Sequence, residues 1–377
     1  MGFPHPAPPL MFSENTPQRI LRGLRRVLRV LARPTRTDRG KGGIVIQPYR
    51  GYGSAEEVFV MGRVLRQYGE PGTGKWSTMS RDILDIGRRL LRRGVADAVV
   101  CGHFAGAERR VQTDRDGYFR LALKPVEALA DEPCWHPLRL TLETPVQAQT
   151  EAQVSVPTAR ARYVVISDID DTVMVTGVAN RIVMFARLFL QGAESRVAFP
   201  GVAALYRALH AGIGGDERNP MLYVSRAPWS LYEVLDEFFH QHRIPVGPIL
   251  FLREWGISLR SPLPRRAEDH KRLLIEDMLA RYPDLPFVLI GDSGQHDPEV
   301  YAQLVHEHPG RVKAIYIRNI SPDATRRDAI EALAREVMAT GSNLLLAADS
   351  DTMAHHAMTL GLIPSSALAA VHRERTA

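Results

Sequence analysis

The pattern of the chain changes at Pro157, and the segment after that residue limits the fold more than any other feature of the sequence. Short apolar runs there alternate with amphipathic helical stretches, which predicts an α/β domain built on a parallel sheet. The predicted strands are 163–167, 221–225, 249–252, 287–290, 313–318 and 344–347, and the predicted helices are 231–242, 268–281, 298–308 and 326–338. Ligands bind beyond the carboxyl ends of such strands, so polar residues at these ends are the candidate functional residues.

The part of the chain before Pro157 is dominated by short β-type runs. Predicted strands cover 43–46, 57–64, 98–104, 109–113, 117–122 and 138–142, with one helix at 80–93. This pattern predicts a small antiparallel β-sandwich. Because 377 residues are enough for two hydrophobic cores, we expect a disordered leader and a basic helix over 1–43, a β-sandwich domain over 44–156, and an α/β domain over 157–377.

A glycine-rich segment at 69–75 has the spacing of a phosphate-binding loop. Trp76 stands where such a loop needs a Ser or Thr as a magnesium ligand. Pro71 also removes one of the backbone N–H groups that would cradle a phosphate. We therefore interpret this segment as a surface loop.

The net charge of +6 comes from one short segment near the start of the chain. Residues 15–41 carry nine basic residues and one acidic residue, a net charge of +8, so the rest of the chain carries a net charge of −2. Apolar residues with helical spacing and arginines on the opposite face predict a basic amphipathic helix from Thr16, ending before Pro34.

Two interpretations of this helix stay open. It can lie on an anionic membrane surface through residues 16–41, or it can pack its apolar stripe on the protein itself. No nucleic-acid partner is expected, because the segment has no aromatic residue for base stacking. The two cysteines give no disulfide scaffold, and no run of about 18 apolar residues is present. We expect a cytoplasmic protein, peripheral at the inner membrane surface if the helix binds lipid.

The first predicted strand of the α/β part ends in a cluster of carboxylates. Asp168, Asp170 and Asp171 directly follow the apolar run 164–166. Three carboxylates in four residues are electrostatically costly unless a cation compensates them. Mg²⁺ suits this role, because hard cations select carboxylate oxygens. The alternative interpretation is a solvated acidic turn, which fits the end of a buried strand less well.

Later strand ends supply groups that suit a phosphoryl ligand. Ser225 ends the second strand and offers a hydroxyl beside the N-terminus of a helix. Lys271 lies near the start of the helix before the fourth strand, where it could neutralise a phosphate. Asp292 and Asp297 lie on a glycine-containing loop after the fourth strand. Each feature alone is commonplace, but together, at successive positions in the sheet, they predict a phosphate and metal site.

These motifs resemble, in order, the four motifs of the haloacid dehalogenase superfamily of phosphotransferases. The longer strings at 167–177 (SDIDDTVMVTG), 223–232 (YVSRAPWSLY), 252–256 (LREWG) and 289–301 (LIGDSGQHDPEVY) look like the actin-patch phosphatidate phosphatase family and its bacterial relatives. The resemblance covers about 157–363. It implies a Rossmann-like parallel sheet of the haloacid dehalogenase type and phosphomonoester hydrolysis.

The resemblance also implies chemical roles for five residues. Asp168 would attack phosphorus as the nucleophile and form an aspartyl-phosphate. Asp170 would protonate the leaving oxygen and then deprotonate the hydrolytic water. Thr172 would orient the nucleophile, and Ser225 and Lys271 would bind the phosphoryl oxygens.

The implied cofactor is Mg²⁺. Its ligands would be Asp168, the Asp170 carbonyl and Asp292, and Asp297 would support the metal loop. The four residues of the implied metal site are thus Asp168, Asp170, Asp292 and Asp297.

The resemblance favours a phosphorylated lipid as the substrate, with phosphatidate converted to diacylglycerol. The stretch 174–200 is too short for the large cap domain that encloses small metabolites in many superfamily members, and an open site suits a lipid headgroup. Two alternatives remain: a phosphatase of a soluble sugar or nucleotide phosphomonoester, and a membrane-associated, non-catalytic module that binds metal or phosphate.

Overall fold

The computed structural model describes residues 43–66, 93–169, 200–225, 229, 232–251, 267–321 and 323–376. Several predicted features lie outside the described residues. These are the basic helix within 16–41, the phosphate-loop-like segment 69–75, most of the helix 80–93, the segment 174–199, and the two site residues Asp170 and Thr172.

The first part of the chain forms a β unit of eight strands. They are β1 Ile44–Pro48, β2 Gly51–Gly53, β3 Val58–Arg66, β4 Val99–Phe104, β5 Ala107–Gln112, β6 Tyr118–Leu123, β7 Trp135–Thr144 and β8 Ala148–Ser155. All six strands predicted in this part are confirmed. Two strands were not predicted. Strand β2 is only three residues long and has two glycines, and the sequence of β8, AQTEAQVS, is largely polar.

The eight strands form one hydrogen-bonded sheet in the order β1-β3-β2-β8-β7-β4-β5, with β6 paired to β3. The predicted antiparallel arrangement is wrong for one pair, because β2 runs parallel to β8. The sheet curls over its own core. A Cβ on Gly102 of β4 would lie 2.2 Å from a methyl group of Leu121 on β6, a strand to which β4 is not hydrogen-bonded. This glycine permits the face-to-face contact that closes the core.

The second part forms an α/β unit with six parallel strands. They are β9 Val164–Asp168, β10 Met221–Ser225, β11 Ile249–Phe251, β12 Phe287–Asp292, β13 Val312–Arg318 and β14 Leu344–Ala347. The seven helices described there are α1 Val202–Ala211, α2 Tyr232–Gln241, α3 Ala267–Arg281, α4 Asp297–Glu307, α5 Ala324–Ala339, α6 Ser350–Thr359 and α7 Ser366–Thr376. The predicted parallel sheet and its six strands are confirmed, whereas α1, α6 and α7 were not predicted.

The order of this sheet is β11-β10-β9-β12-β13-β14, and helices cover both of its faces. Successive residues of β9 point to opposite faces. Val165 packs in a core with α1, α2, α6 and α7, while Val164 and Ile166 pack in a second core with α3, α4 and α5. The chain order reverses direction between β9 and β12. In open α/β sheets, such a switch point is where a crevice for ligands forms.

The β unit contacts the α/β unit through the segment after β1. The Tyr49 ring stacks on Trp229 with centroids 4.2 Å apart, and the Arg50 amide donates a hydrogen bond of 3.0 Å to the Tyr232 hydroxyl. The Arg50 guanidinium also pairs with Asp236 of α2. Trp229 lies between β10 and α2 in the chain, and Tyr232 is the first residue of α2, so the β unit packs against the region that follows β10.

None of the helices in the described part of the chain is both long and apolar enough to cross a membrane.

Candidate active site

The carboxyl edge of the parallel sheet gathers the predicted functional residues around β9. In the strand register, Val224 of β10 lies beside Asp168 and Ile290 of β12 lies beside Ser167. Ser225 therefore ends the strand on one side of Asp168, and Asp292 ends the strand on the other side. Ser225 is fully buried and Asp292 is 6% exposed. The predicted convergence of Asp168, Ser225 and Asp292 is thus observed, and it occurs at the switch point.

Lys271 of α3 reaches under this edge and joins two carboxylates. Its Nζ donates to Asp168 Oδ2 at 2.6 Å and to Asp297 Oδ1 at 2.5 Å. The exposed fraction of each of these three side chains is 2% or less. A charge buried to this extent is tolerated only when it is paired and hydrogen-bonded. Lys271 therefore fixes the position of Asp168.

The pKa values at this edge follow from burial and from the local excess of negative charge. Burial raises the pKa of Asp297 to about 7, with Lys271 opposing the rise and Asp168 adding to it. Burial lowers the pKa of Lys271, but Asp168 and Asp297 outweigh that effect, and the net shift is upward. Lys271 consequently stays a cation at neutral pH.

The loop after β12 orients Asp292 through its own backbone. Asp292 Oδ1 accepts hydrogen bonds from the amides of Gly294 at 2.7 Å and Gln295 at 3.1 Å. The Asp292 amide donates to Asp297 Oδ2 at 3.3 Å. A side chain at Gly291 would place its Cβ 2.4 Å from the same Asp297 oxygen, so only glycine fits there. Both Asp297 oxygens are thereby engaged, one by Lys271 and one by the loop.

Arg326 of α5 anchors the same loop from outside, a role that the sequence analysis missed. Its Nε donates to the Ser293 carbonyl at 2.9 Å, and one terminal nitrogen donates to the Gln295 carbonyl at 2.6 Å. The guanidinium also forms a two-pronged ion pair with Glu299. Bidentate arginine pairs fix geometry as well as charge. No local signal marks Arg326, because its carbonyl partners lie about thirty residues away in sequence.

Tyr206 of α1 is a second supporting residue that the sequence analysis missed. Its hydroxyl lies 2.6 Å from Ser167 Oγ, which donates to the Asp168 carbonyl at 3.1 Å. Because the Ser167 proton is used in that bond, the Tyr206 hydroxyl must donate to Ser167. Burial raises the pKa of Tyr206, so it stays a neutral donor. This chain of hydrogen bonds supports the backbone at Asp168.

Carboxylate oxygens of Asp168, Asp292 and Asp297 lie within 4.8 Å of one another. Lys271 donates to two of these carboxylates, Asp168 and Asp297. A donor set made only of carboxylate oxygens suits a hard divalent cation. The residues present at this edge therefore fit a metal ion of the Mg²⁺ type.

Comparisons with known proteins agree with the motifs. Residues 163–319 match the family model described as the catalytic domain of phosphatidate phosphatase APP1. Over 188 residues, 48% of its length, the chain is 34% identical to phosphatidate phosphatase APP1 of Saccharomyces cerevisiae. Over 159 residues, 42% of its length, it is 28% identical to an uncharacterized protein of Schizosaccharomyces pombe.

These matches cover only part of either relative, since the aligned regions span 30% of the first protein and 25% of the second. A solved structure, a carbohydrate acetylesterase from Xanthomonas citri, is 11% identical over 77% of this chain and 72% of its own. Its TM-score of 0.21 is too low to support any argument. The resemblance that the motifs indicate is confirmed over residues 163–319, which match the model of the phosphatidate phosphatase catalytic domain.

Proposed function

We propose that the protein is a Mg²⁺-dependent phosphatase that hydrolyses a phosphomonoester through an aspartyl-phosphate, with phosphatidate as the substrate and diacylglycerol as the product. The observation that carries this proposal is the convergence of Asp168, Ser225, Lys271 and Asp292 at one buried edge of the sheet. The match of residues 163–319 to a phosphatidate phosphatase catalytic domain supports both the reaction and the substrate. The motifs support placement in the haloacid dehalogenase superfamily.

In the first step, a carboxylate oxygen of Asp168 attacks phosphorus and the bond from phosphorus to the alcohol oxygen breaks. Asp170, two residues further along, donates its proton to that oxygen, so that the alcohol leaves neutral. In the second step, Asp170 accepts a proton from water, the water oxygen bonds to phosphorus, and the bond to Asp168 breaks. Inorganic phosphate leaves, and both aspartates return to their starting forms.

Lys271 and Ser225 stabilise charge during both steps. The Lys271 ammonium lies 2.6 Å from Asp168 Oδ2, so it is already placed where the phosphoryl oxygens must come. Such preorganised donors require no rearrangement during the reaction, which is why they are effective. The contact with Asp297 holds Lys271 in this position when substrate is absent.

Asp168, the Asp170 carbonyl and Asp292 would hold Mg²⁺, which when bound screens the attacking carboxylate from the phosphate and withdraws charge from a phosphoryl oxygen. Asp292 is already oriented by the amides of Gly294 and Gln295. Asp297, with both oxygens engaged, acts through Lys271 and through the Asp292 amide.

A lipid substrate also gives a role to the basic amphipathic segment. We propose that residues 16–41 bring the protein to an anionic membrane surface in the cytoplasm, where the headgroup can reach an open site. Deleting residues 1–41 should abolish binding to anionic vesicles and spare activity on a soluble phosphomonoester. If vesicle binding survives the deletion, the segment has no role in membrane binding.

The function is tested by phosphate release from phosphatidate in detergent micelles, beside soluble sugar and nucleotide monoesters, with and without Mg²⁺. Asp168→Asn and Asp170→Asn should abolish release, while Asp328→Asn, at an exposed aspartate of α5, should leave it unchanged. Rapid turnover of a soluble ester but not of phosphatidate would favour the soluble-substrate alternative. No release from any substrate, with metal still bound, would favour a non-catalytic module.

A further inference from the structure

A second group of metal-ligating side chains lies on the outer face of the β unit, far from the carboxylates of the parallel sheet in sequence. Cys101 and His103 are two residues apart on β4, so their side chains lie on the same face. Glu108 of β5 lies directly opposite His103 in the strand register. The hairpin that joins β4 and β5 thus presents a thiol, an imidazole and a carboxylate at one place.

The three side chains converge closely. Cys101 Sγ lies 3.4 Å from His103 Nε2, and His103 Nδ1 lies 3.5 Å from Glu108 Oε2. One ligand atom from each residue lies within 4.8 Å of the others. In a tetrahedral zinc site, the usual Zn–S and Zn–N bond lengths place a sulfur and a nitrogen about 3.6 Å apart. The spacing of the thiol and imidazole is therefore close to that of two ligands of one ion.

We propose that Cys101, His103 and Glu108 form a binding site for a divalent transition-metal ion of the zinc type. A thiolate, an imidazole and a carboxylate select such ions, whereas Mg²⁺ prefers oxygen donors alone. Three protein ligands leave a fourth position for water or for an external ligand. This site is chemically distinct from the all-carboxylate edge of the parallel sheet and does not rest on the proposed phosphatase function.

The surroundings supply the two further features that such a site needs. The Arg110 guanidinium forms an ion pair with Glu108, and its Nε lies 3.0 Å from Glu143 Oε1. Contacts of this kind orient a carboxylate that binds a metal ion. A cavity of about 440 Å³ is lined by His103, Glu108, Arg139 and Glu151, so an ion from solvent can reach two of the three proposed ligands.

The same three residues could instead suggest a nucleophilic thiol with an imidazole base. Burial decides against this interpretation, because Cys101 is only 1% exposed. Reactive cysteines are partly exposed, because the substrate must reach the sulfur atom. Binding of a metal ion requires much less access than attack on a substrate.

The chain offers a sharp test, because its 377 residues contain only two cysteines. We would titrate the reduced protein with Co²⁺ in excess Mg²⁺, which occupies the oxygen-only site, and record the thiolate-to-cobalt charge-transfer band. The expected result is a band that saturates at one Co²⁺ per chain and is removed by stoichiometric Zn²⁺. Cys101→Ser should abolish the band, and Cys134→Ser, the matched control at the other buried cysteine, should keep it.

Two further variants keep the proposal falsifiable if Cys101→Ser does not fold. His103→Gln and Glu108→Gln each remove one ligand of the proposed site. Loss of a residue that only orients a ligand weakens metal binding about 10- to 100-fold, so each of these variants should weaken Co²⁺ binding by more than that. Absence of the band in the wild type, or its loss in Cys134→Ser alone, would overturn the proposal. So would unchanged Co²⁺ affinity in both glutamine variants.

Discussion

Charged side chains are placed in opposite ways in the two sheets of this protein. In the parallel sheet, Asp168, Lys271 and Asp297 are 2% exposed or less and meet at the carboxyl edge. In the β unit, Arg110 and Glu108 pair on the outer face with 58% and 43% of their side chains exposed. Both regions contain close ion pairs, but those at the carboxyl edge of the parallel sheet are buried and the pair in the β unit is exposed to water.

This difference decides what each group of charges can mean. An exposed pair is screened by water and contributes little to the free energy of unfolding, so the ion pair by itself indicates neither stability nor chemistry. A buried lysine between two carboxylates is tolerated only with complete pairing, and it creates a strong local field. Such a field is useful for binding and transferring a phosphoryl group, which is why the buried edge points to chemistry.

Replacing Lys271 with methionine should have the largest effect on stability. The variant leaves Asp168 and Asp297 buried without their shared cation, which should lower the free energy of unfolding by about 3–5 kcal/mol. Urea denaturation measures the change, and the exposed Lys313→Met is the matched control. A loss below about 1 kcal/mol would show that the buried ion pairs do not behave as the structure indicates.

Replacing Tyr49 with alanine should have the next largest effect, because its ring packs between the two units. Removal of this buried aromatic ring is expected to cost about 3 kcal/mol, the lower end of the usual range for such residues. Tyr49→Phe keeps the stack on Trp229 and should lose much less. If both variants unfold at the same urea concentration as the wild type, the contact between the units contributes no stability.

The contribution of Asp297 to the stability of the metal-free protein should fall as the pH rises from about 5 to 7. Burial raises the pKa of Asp297 to about 7, above its unfolded value, so the folded state binds more protons than the unfolded state in this range. The slope should be at most about 1.4 kcal/mol per pH unit. Urea unfolding midpoints at several pH values measure this slope. Asp297→Asn should flatten the dependence of stability on pH, and Mg²⁺ should reduce the slope. Burial lowers the pKa values of His136, His210 and His356, which acts in the opposite direction, so the Asp297 contribution is measured as the difference in stability between the wild type and Asp297→Asn. A wild type that gains stability relative to Asp297→Asn as the pH rises over this range would contradict the assignment.

The smallest effect is expected at the outer face of the β unit. Arg110→Ala removes an exposed guanidinium, so the urea midpoint should stay within experimental error of the wild type. A destabilisation as large as that of Lys271→Met would contradict the statement that the buried ion pairs contribute more to stability than the exposed pair.

The sequence predicted the strands of both sheets wherever apolar runs were long or bounded by turn residues. It also predicted that Asp168, Ser225 and Asp292 meet, because parallel strands place their carboxyl ends at one edge. The polar strand β8 and the short strand β2 were missed, since their patterns are weak, and the helices α1, α6 and α7 were also missed. The contact of Lys271 with Asp168 spans 103 residues, and only the folded sheet shows that it also joins Asp297.

The supporting residues could not be predicted for the same reason. Tyr206 acts through Ser167, and Arg326 acts through two loop carbonyls, so neither carries a local motif. The roles of Asp170 and Thr172 stay predictions of the resemblance, and the basic helix and the domain boundaries stay predictions of the sequence pattern. Local sequence patterns predict strands and helices, whereas the packing of distant segments determines which side chains support the residues of the site.

The most direct test of the central claim is the mass of the peptide that contains Asp168 after acid quenching during turnover of phosphatidate with Mg²⁺. The account predicts a phosphoryl adduct on Asp168 in the wild type, and none in Asp168→Asn. Phosphate release without any adduct at Asp168, together with turnover retained in Asp168→Asn, would contradict it.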